Sequence, residues 1–212
     1  MTASWGLAGQ SLLWLQQAAP GKMGWDFQIY LNAAGQSAQG QNPYQPFQIG
    51  SGFLNHPFLL SLVTPLAKLP PKWGTAVWLG AAFLAWMAAI GSAFLLAAEK
   101  HSISRWRAVF AAALFMGTAP LFEALYVGQV SPFVALLLVL CMLLTESGRP
   151  VLAGVSLTLA IVGKTSPLLL LAYFAVVGQW RVVGSSLITL LLLTGLTAVQ
   201  FSPDLPRQFL AF

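Results

Sequence analysis

Between Trp73 and Ala98 the chain runs for twenty-six residues without an Asp, Glu, Lys or Arg. At about 1.5 Å rise per residue such a helix reaches ~39 Å, longer than the ~30 Å hydrocarbon core of a bilayer. A lipid solvent then constrains the rest of the chain. Backbone polar groups inside hydrocarbon must be satisfied within the segment, which predicts an all-α fold, a polytopic transmembrane helical bundle. Composition agrees: 58% of residues are hydrophobic and 7% charged, where a soluble domain carries ~25% charged residues. Mean hydropathy is +0.76. An ionisable side chain is costly in such surroundings and usually functional. With ten Lys and Arg and five Asp and Glu, each can be weighed singly.

The net charge of +5 comes from a few loop residues. It reads as topology information and excludes a nucleic-acid footprint. The single cysteine, Cys141, lies in an apolar run, so no disulfide framework exists. Residues 1–21 have no positive n-region and only a weak apolar part, Leu12–Leu15, so they do not form a convincing signal peptide. There is no internal repeat and no low-complexity tail.

After Ala98 comes a basic segment, EKHSISRWR (99–107). Uncharged stretches follow at 108–122, 124–145, 150–163 and 165–180, and a last one at Val182–Gln200. Several are shorter than the ~20 residues of an ordinary span. Short apolar segments broken by Gly and Pro usually line a cavity. Lys100, Arg105 and Arg107 form the densest basic loop and are placed in the cytoplasm. Pairing 108–127 with 131–145 and 151–163 with 166–178 brings Arg149 and Arg181 back to that side. Gln129, Lys164, Asp204 and the Asp26 loop then face outward, provided that residues 57–69, too short to cross unaided, do not span.

The N-terminal loop WDFQIYLNAAGQSAQGQNPYQPF (25–47) holds Asp26, the only acid before Glu99. Asp26 precedes an expected short helix, Phe27–Ala34, and Gly35, Gly40 and Asn42-Pro43 are read as turns. It reads either as the N-cap of that helix or as a catalytic or ligand-contacting carboxylate. Lys164 stands between two apolar stretches. It is either an interfacial residue snorkelling to water or a buried cation costing about 2.5–3.5 kcal/mol on insertion scales. Glu123, between Pro120 and Gly128-Gln129, is an interfacial glutamate, a cavity acid or a partner of Lys164. His56 precedes Pro57 and is expected to be extended. It is a helix-start residue or a donor to a phosphate or sugar. Gln129 is a turn-capping amide or a ligand contact. Tyr30 and Tyr44 are interfacial aromatics or stacking platforms for a sugar. Lys68 and Lys72 read as interfacial anchors.

These residues carry a resemblance. Asp26 followed by Tyr30, Ala33-Ala34, Gly40 and Asn42-Pro43-Tyr44 resembles the first outer loop of glycosyltransferase family 87. HPFLLSLVTPLAKLP (56–70), GQVSPFVALLLVL (128–140) and LAGVSLTLAIVGKTSPLLLL (152–171) resemble three further blocks of that family, in its order. A Trp-Arg pair, Trp180-Arg181, is expected to close the next helix. Together the matches cover roughly residues 24–200.

The resemblance implies a C-type glycosyltransferase fold: one transmembrane domain over 1–212, with an outer-face loop at 20–56 and membrane helices at 57–201. It implies transfer of a hexose, typically mannose, from a polyprenyl-phosphate carrier to a lipid, glycan or protein acceptor outside the membrane. The family's loop acid maps onto Asp26 as general base, and a single base with direct displacement inverts the anomeric centre. A metal ion would need a ligand cluster, and only Asp26 and His56 lie near each other in sequence. A metal-free site with no cofactor is therefore expected, with Lys164, Thr165 and Ser166 towards the phosphate and His56, Gln129, Tyr30, Tyr44 and Glu123 as substrate contacts. The expected location is the cytoplasmic (inner) membrane, in a multi-pass arrangement.

Family members are about twice this length and have a full transmembrane helix before the acidic loop. The chain is accordingly expected to be an incomplete member. The competing reading is a non-catalytic membrane component, either a transporter fragment or a truncated pseudo-enzyme. A weaker third is a carrier binder without transfer.

Overall fold

A computed structural model describes residues 23–44, 53–101, 104–116 and 119–210. Within them the chain is all-helical, with ten helices: α1 Trp25–Ala38, α2 Phe58–Ala67, α3 Pro71–Lys100, α4 Arg105–Met116, α5 Ala119–Val127, α6 Ser131–Glu146, α7 Pro150–Gly163, α8 Leu168–Val176, α9 Trp180–Gln200 and α10 Asp204–Leu210. Prolines open several of them. Pro71, Pro132 and Pro150 sit in the first turn of α3, α6 and α7, where their missing N–H groups cost nothing. Gly148 and Gly178, with φ of 68° and 77°, follow the ends of α6 and α8.

Two helices, α3 over Pro71–Ala98 and α9, are long and apolar enough to cross a membrane. Only 28% and 22% of their most apolar windows are buried inside the protein. Leu84, Leu191 and Val199 project outward from them. A core helix of a soluble domain would hide these side chains, so the exposed apolar surface has lipid as its solvent.

The packed interior has two parts. In one, Phe27 and Tyr30 of α1 meet Leu60 and Val63 of α2, Trp78 of α3 and Val134 of α6. The rings of Phe27 and Trp78 stack at 4.9 Å. In the other, Cys141 of α6, Leu157 of α7, Phe174 of α8 and Val182 of α9 pack together. Small residues let α7 and α9 touch. A Cβ on Gly154 would run into Ser185 and lie 2.5 Å from the Val182 carbonyl. Beside it the buried Thr158 hydroxyl donates to the Ser186 carbonyl at 2.8 Å.

The antiparallel course of α6 and α7 sorts the polar residues into two ends. Lys100 pairs with Glu146 at 3.6 Å at the end of α6 that leads to Arg149. Lys164 and Ser131 lie at the other end, a helix length of about 21 Å away. This is the grouping expected from the charge pattern. The ten residues of α2 pack along α1 and beside the last turns of α9, where Ser61 donates to Gln200 at 2.7 Å. They do not cross.

Three expectations need correction. Helix α1 runs Trp25–Ala38 rather than Phe27–Ala34, with Gly35 inside it, because Ala33, Ala34 and Ser37 continue its buried face. The N-cap is Gly24 in the left-handed region at φ 76°, so Asp26 lies within the first turn and is not the cap. Trp180 and Arg181 open α9 instead of closing α8, which ends at Val176 before the Gly178 turn.

Candidate active site

Four chain segments meet around a cavity of about 290 Å³ at the Lys164 end. Helix α1 contributes Asp26 and Tyr30, one turn apart and therefore on one face. The segment before α2 contributes Asn55 and His56, the turn into α6 Gln129 and Ser131, and the end of α7 Lys164 and Thr165. Residues separated by more than a hundred positions thus share one wall.

Glycine brings α1 to this place. Gly24 donates its N–H to the Tyr126 carbonyl at 2.7 Å, and Trp78 Nε1 donates to the Gly128 carbonyl at 2.9 Å. Gly128 has φ +77°, and a Cβ there would lie 3.0 Å from Gly24 Cα and 3.2 Å from Phe27 Cβ. Two backbones can approach this closely only without side chains. The contact sets the first turn of α1, and hence Asp26, beside Gln129.

Lys164 ends α7 in an extended conformation, with φ −155° and ψ 136°. It stands exposed at the cavity rim. Its Nζ donates to Ser131 Oγ at 3.4 Å, and Ser131 donates to Gln129 Oε1 at 3.1 Å. A cation and two polar side chains therefore line the same cavity as the carboxylate. Burial raises the pKa of the half-buried Asp26, and the charge of Lys164 opposes that rise. Burial, and then the neighbouring Asp26 charge, raise the Tyr30 phenol.

His56 lines the cavity, but both ring nitrogens are engaged. Nδ1 accepts the Phe58 N–H at 3.2 Å. The Thr194 hydroxyl donates to the Leu190 carbonyl at 2.8 Å, which leaves its oxygen to accept from Nε2 at 3.1 Å. Burial lowers the His56 pKa to about 4, so the ring is neutral at pH 7 and ties the start of α2 to α9.

Two expected contacts lie elsewhere. Tyr44 is buried against Phe53 and Phe209, with its hydroxyl donating to the Asn55 carbonyl at 3.0 Å. It supports the cavity wall from behind. Glu123 is exposed on α5, outside the cavity lining, and forms no ion pair with Lys164 among the described residues. Sequence reasoning missed Asn55 and Ser131. The Asn55 side chain donates to the Gly163 carbonyl and fixes the residue immediately before Lys164. The signal for Ser131 was its place beside Gln129 at a helix start. Nothing local marked Asn55, whose partner lies 108 positions away. Among the described residues no three of His, Cys, Asp and Glu come together.

The model of the family described as Glycosyltransferase family 87 matches residues 53–212, about three-quarters of the chain. The match spans the blocks at 56–70, 128–140 and 152–171 and leaves the Asp26 helix outside it. No curated protein and no solved structure matches the chain.

Proposed function

The chain belongs to glycosyltransferase family 87, a membrane glycosyltransferase by that membership, and we propose that it moves a hexose, mannose in the first instance, from a polyprenyl-phosphate carrier to an acceptor hydroxyl. The reaction takes place at the outer face of a multi-pass cytoplasmic-membrane protein. The observation that supports this reading is that the Asp26 carboxylate lines the same cavity as Lys164 and the Ser131–Gln129 pair.

The residues divide the chemistry between them. Asp26 accepts the proton of the acceptor hydroxyl as its oxygen bonds to the anomeric carbon. The bond from that carbon to the phosphate oxygen breaks, and the pair of electrons leaves with the phosphate. Attack from the face opposite the leaving group inverts the anomeric centre. Lys164, with Ser131 and Thr165 beside it, meets the charge that develops on the phosphate. General-base assistance of this kind contributes about 10²–10⁴-fold. A carboxylate whose pKa is raised by partial burial is a stronger base than an exposed one. The engaged nitrogens of His56 favour a supporting role for that residue over phosphate donation.

The test is a transfer assay with a polyprenyl-phosphate sugar, run on variants that are still inserted and folded. Asp26→Asn is expected to lose transfer by at least 10²-fold while still binding donor. Lys164→Ala is expected mainly to weaken donor binding. Equal transfer by Asp26→Asn and the parent would remove the base assignment. Unchanged donor affinity in Lys164→Ala would remove the phosphate assignment.

A further inference from the structure

Helix α1 has a second working face. A separate cavity of about 170 Å³ lies against it, walled by Trp25, Gln28, Asn32 and Gln36, with Pro43 and Phe53 closing the far side. At 100° per residue the three amides, spaced i, i+4, i+8, fall with Trp25 on one stripe of α1, and the Asp26–Tyr30 stripe lies a little over a third of a turn away. The helix is thus a partition between two cavities, and its first turn holds the carboxylate at their shared edge.

The chemistry of the two sides differs. The Asp26 side contains a lysine and a carboxylate. None of the residues lining the second cavity is charged. Its polar groups are amides, each able to donate and accept, and the Gln36 Oε1 atom is buried with no hydrogen-bond partner among the described residues. A buried acceptor without a partner is costly unless a ligand or a bound water supplies the donor. An indole face beside a row of amides suits a neutral ring with apolar C–H faces and a rim of hydroxyls. An anion would find no cation there. The volume is that of roughly five waters, near the size of one sugar ring.

We propose that this cavity is a subsite for a neutral sugar ring of the acceptor, held by Gln28, Asn32 and Gln36 against Trp25, so that a hydroxyl of the acceptor is presented to Asp26. The inference rests on the transferase reading and adds to it the acceptor's chemical class, a glycan or glycolipid with an uncharged sugar at the point of attachment.

The test uses saturation-transfer NMR on the full chain in lipid nanodiscs. The probes are the methyl glycosides of mannose, glucose and galactose, with glucose 6-phosphate as the charged comparison. At least one neutral glycoside is expected to bind, in preference to the phosphate. Gln36→Leu and Asn32→Leu, close in size to the residues they replace, are each expected to weaken that binding tenfold or more while polyprenyl-phosphate binding stays at the parental level. Asn32 is exposed, so its variant keeps the test open if Gln36→Leu does not fold. Absence of glycoside binding to the folded parent, equal binding by both variants, or preference for the phosphate would each overturn the subsite. The two readings fail separately. Transfer without glycoside binding removes the subsite and keeps the transferase, whereas amide-dependent glycoside binding without transfer does the reverse.

Discussion

A carboxylate pushed up by burial and held down by a facing lysine titrates according to how much of each influence remains. The folded pKa of Asp26 lies above its ordinary 3.8, so the folded state holds this proton more tightly than the unfolded chain does. Stability from this residue is greatest below 3.8 and is lost as pH rises through the folded pKa. Asp26→Asn is therefore expected to leave thermal stability unchanged or higher at pH 7, which separates a catalytic loss from a folding defect. Activity runs the other way. A general base acts when deprotonated, so the proposed mechanism expects kcat/KM to rise with pH through the Asp26 pKa. Lys164→Ala removes the influence that lowers this pKa, and the acid limb of the pH profile is expected to move to higher pH. Lys164→Arg is expected to keep it near the parental position. An acid limb that does not move in Lys164→Ala would mean that the ammonium does not face the carboxylate in the working enzyme.

Among the elements, the junction of α1 with the turn into α6 is the most sensitive. Gly128→Ala puts a side chain at φ +77° and a Cβ 3.0 Å from the Gly24 backbone. The left-handed conformation alone costs a non-glycine residue about 1–2 kcal/mol, and the contact adds to it. The variant is expected to melt lower in detergent and to lose transfer out of proportion to that change, because α1 carries Asp26. Gly40→Ala, at φ +71° but with nothing near its Cβ, isolates the conformational part and is expected to retain transfer. Retained transfer in Gly128→Ala would show that this contact does not position the base. Such a contact is only half legible in sequence. Gly128-Gln129 before Ser131-Pro132 marks a turn and a helix start, and the Lys164 break marks the end of α7. Apolar runs with Pro and Gly mark α3, α6, α7 and α9, whereas α4 and α5 fall within what reads as one stretch, 108–127, and α10 has no counterpart in the apolar pattern. That Gly24 is the surface Gly128 meets depends on tertiary packing, as does Asn55 reaching Gly163. The same limit explains Tyr44 and Glu123. Composition places them near a membrane surface, and only the packing of Phe53 and Phe209 and the exposed face of α5 take them out of the cavity.

For the whole molecule, the two polar ends of the bundle turn a local chemistry into a sided one. A polyprenyl-phosphate donor lies with its head group at one membrane surface, so the Asp26–Lys164 cavity can work only if its end faces that surface. The opposite end carries Lys100, Arg105, Arg107, Arg149 and Arg181. An excess of Lys and Arg marks the cytoplasmic side, and the proposed topology accordingly directs the cavity outward. The cavity end has cations of its own in Lys164, in Lys68 and Lys72 at the junction of α2 and α3, and in Arg207, which sits beside Asp204 at 3.5 Å, so among the described residues the bias is only five against four. Cysteine labelling decides it. Cys141 is buried, and Cys141→Ala provides a background without a native thiol. Ser202→Cys, next to α10, and Ser147→Cys, after α6, then report on the two ends. With a charged, membrane-impermeant maleimide on intact cells, Ser202→Cys is expected to label directly and Ser147→Cys only after lysis. The reverse pattern would put Asp26 on the cytoplasmic side. The donor would then have to present its sugar there, and the outer-face reaction would fail even if every distance in the cavity were right.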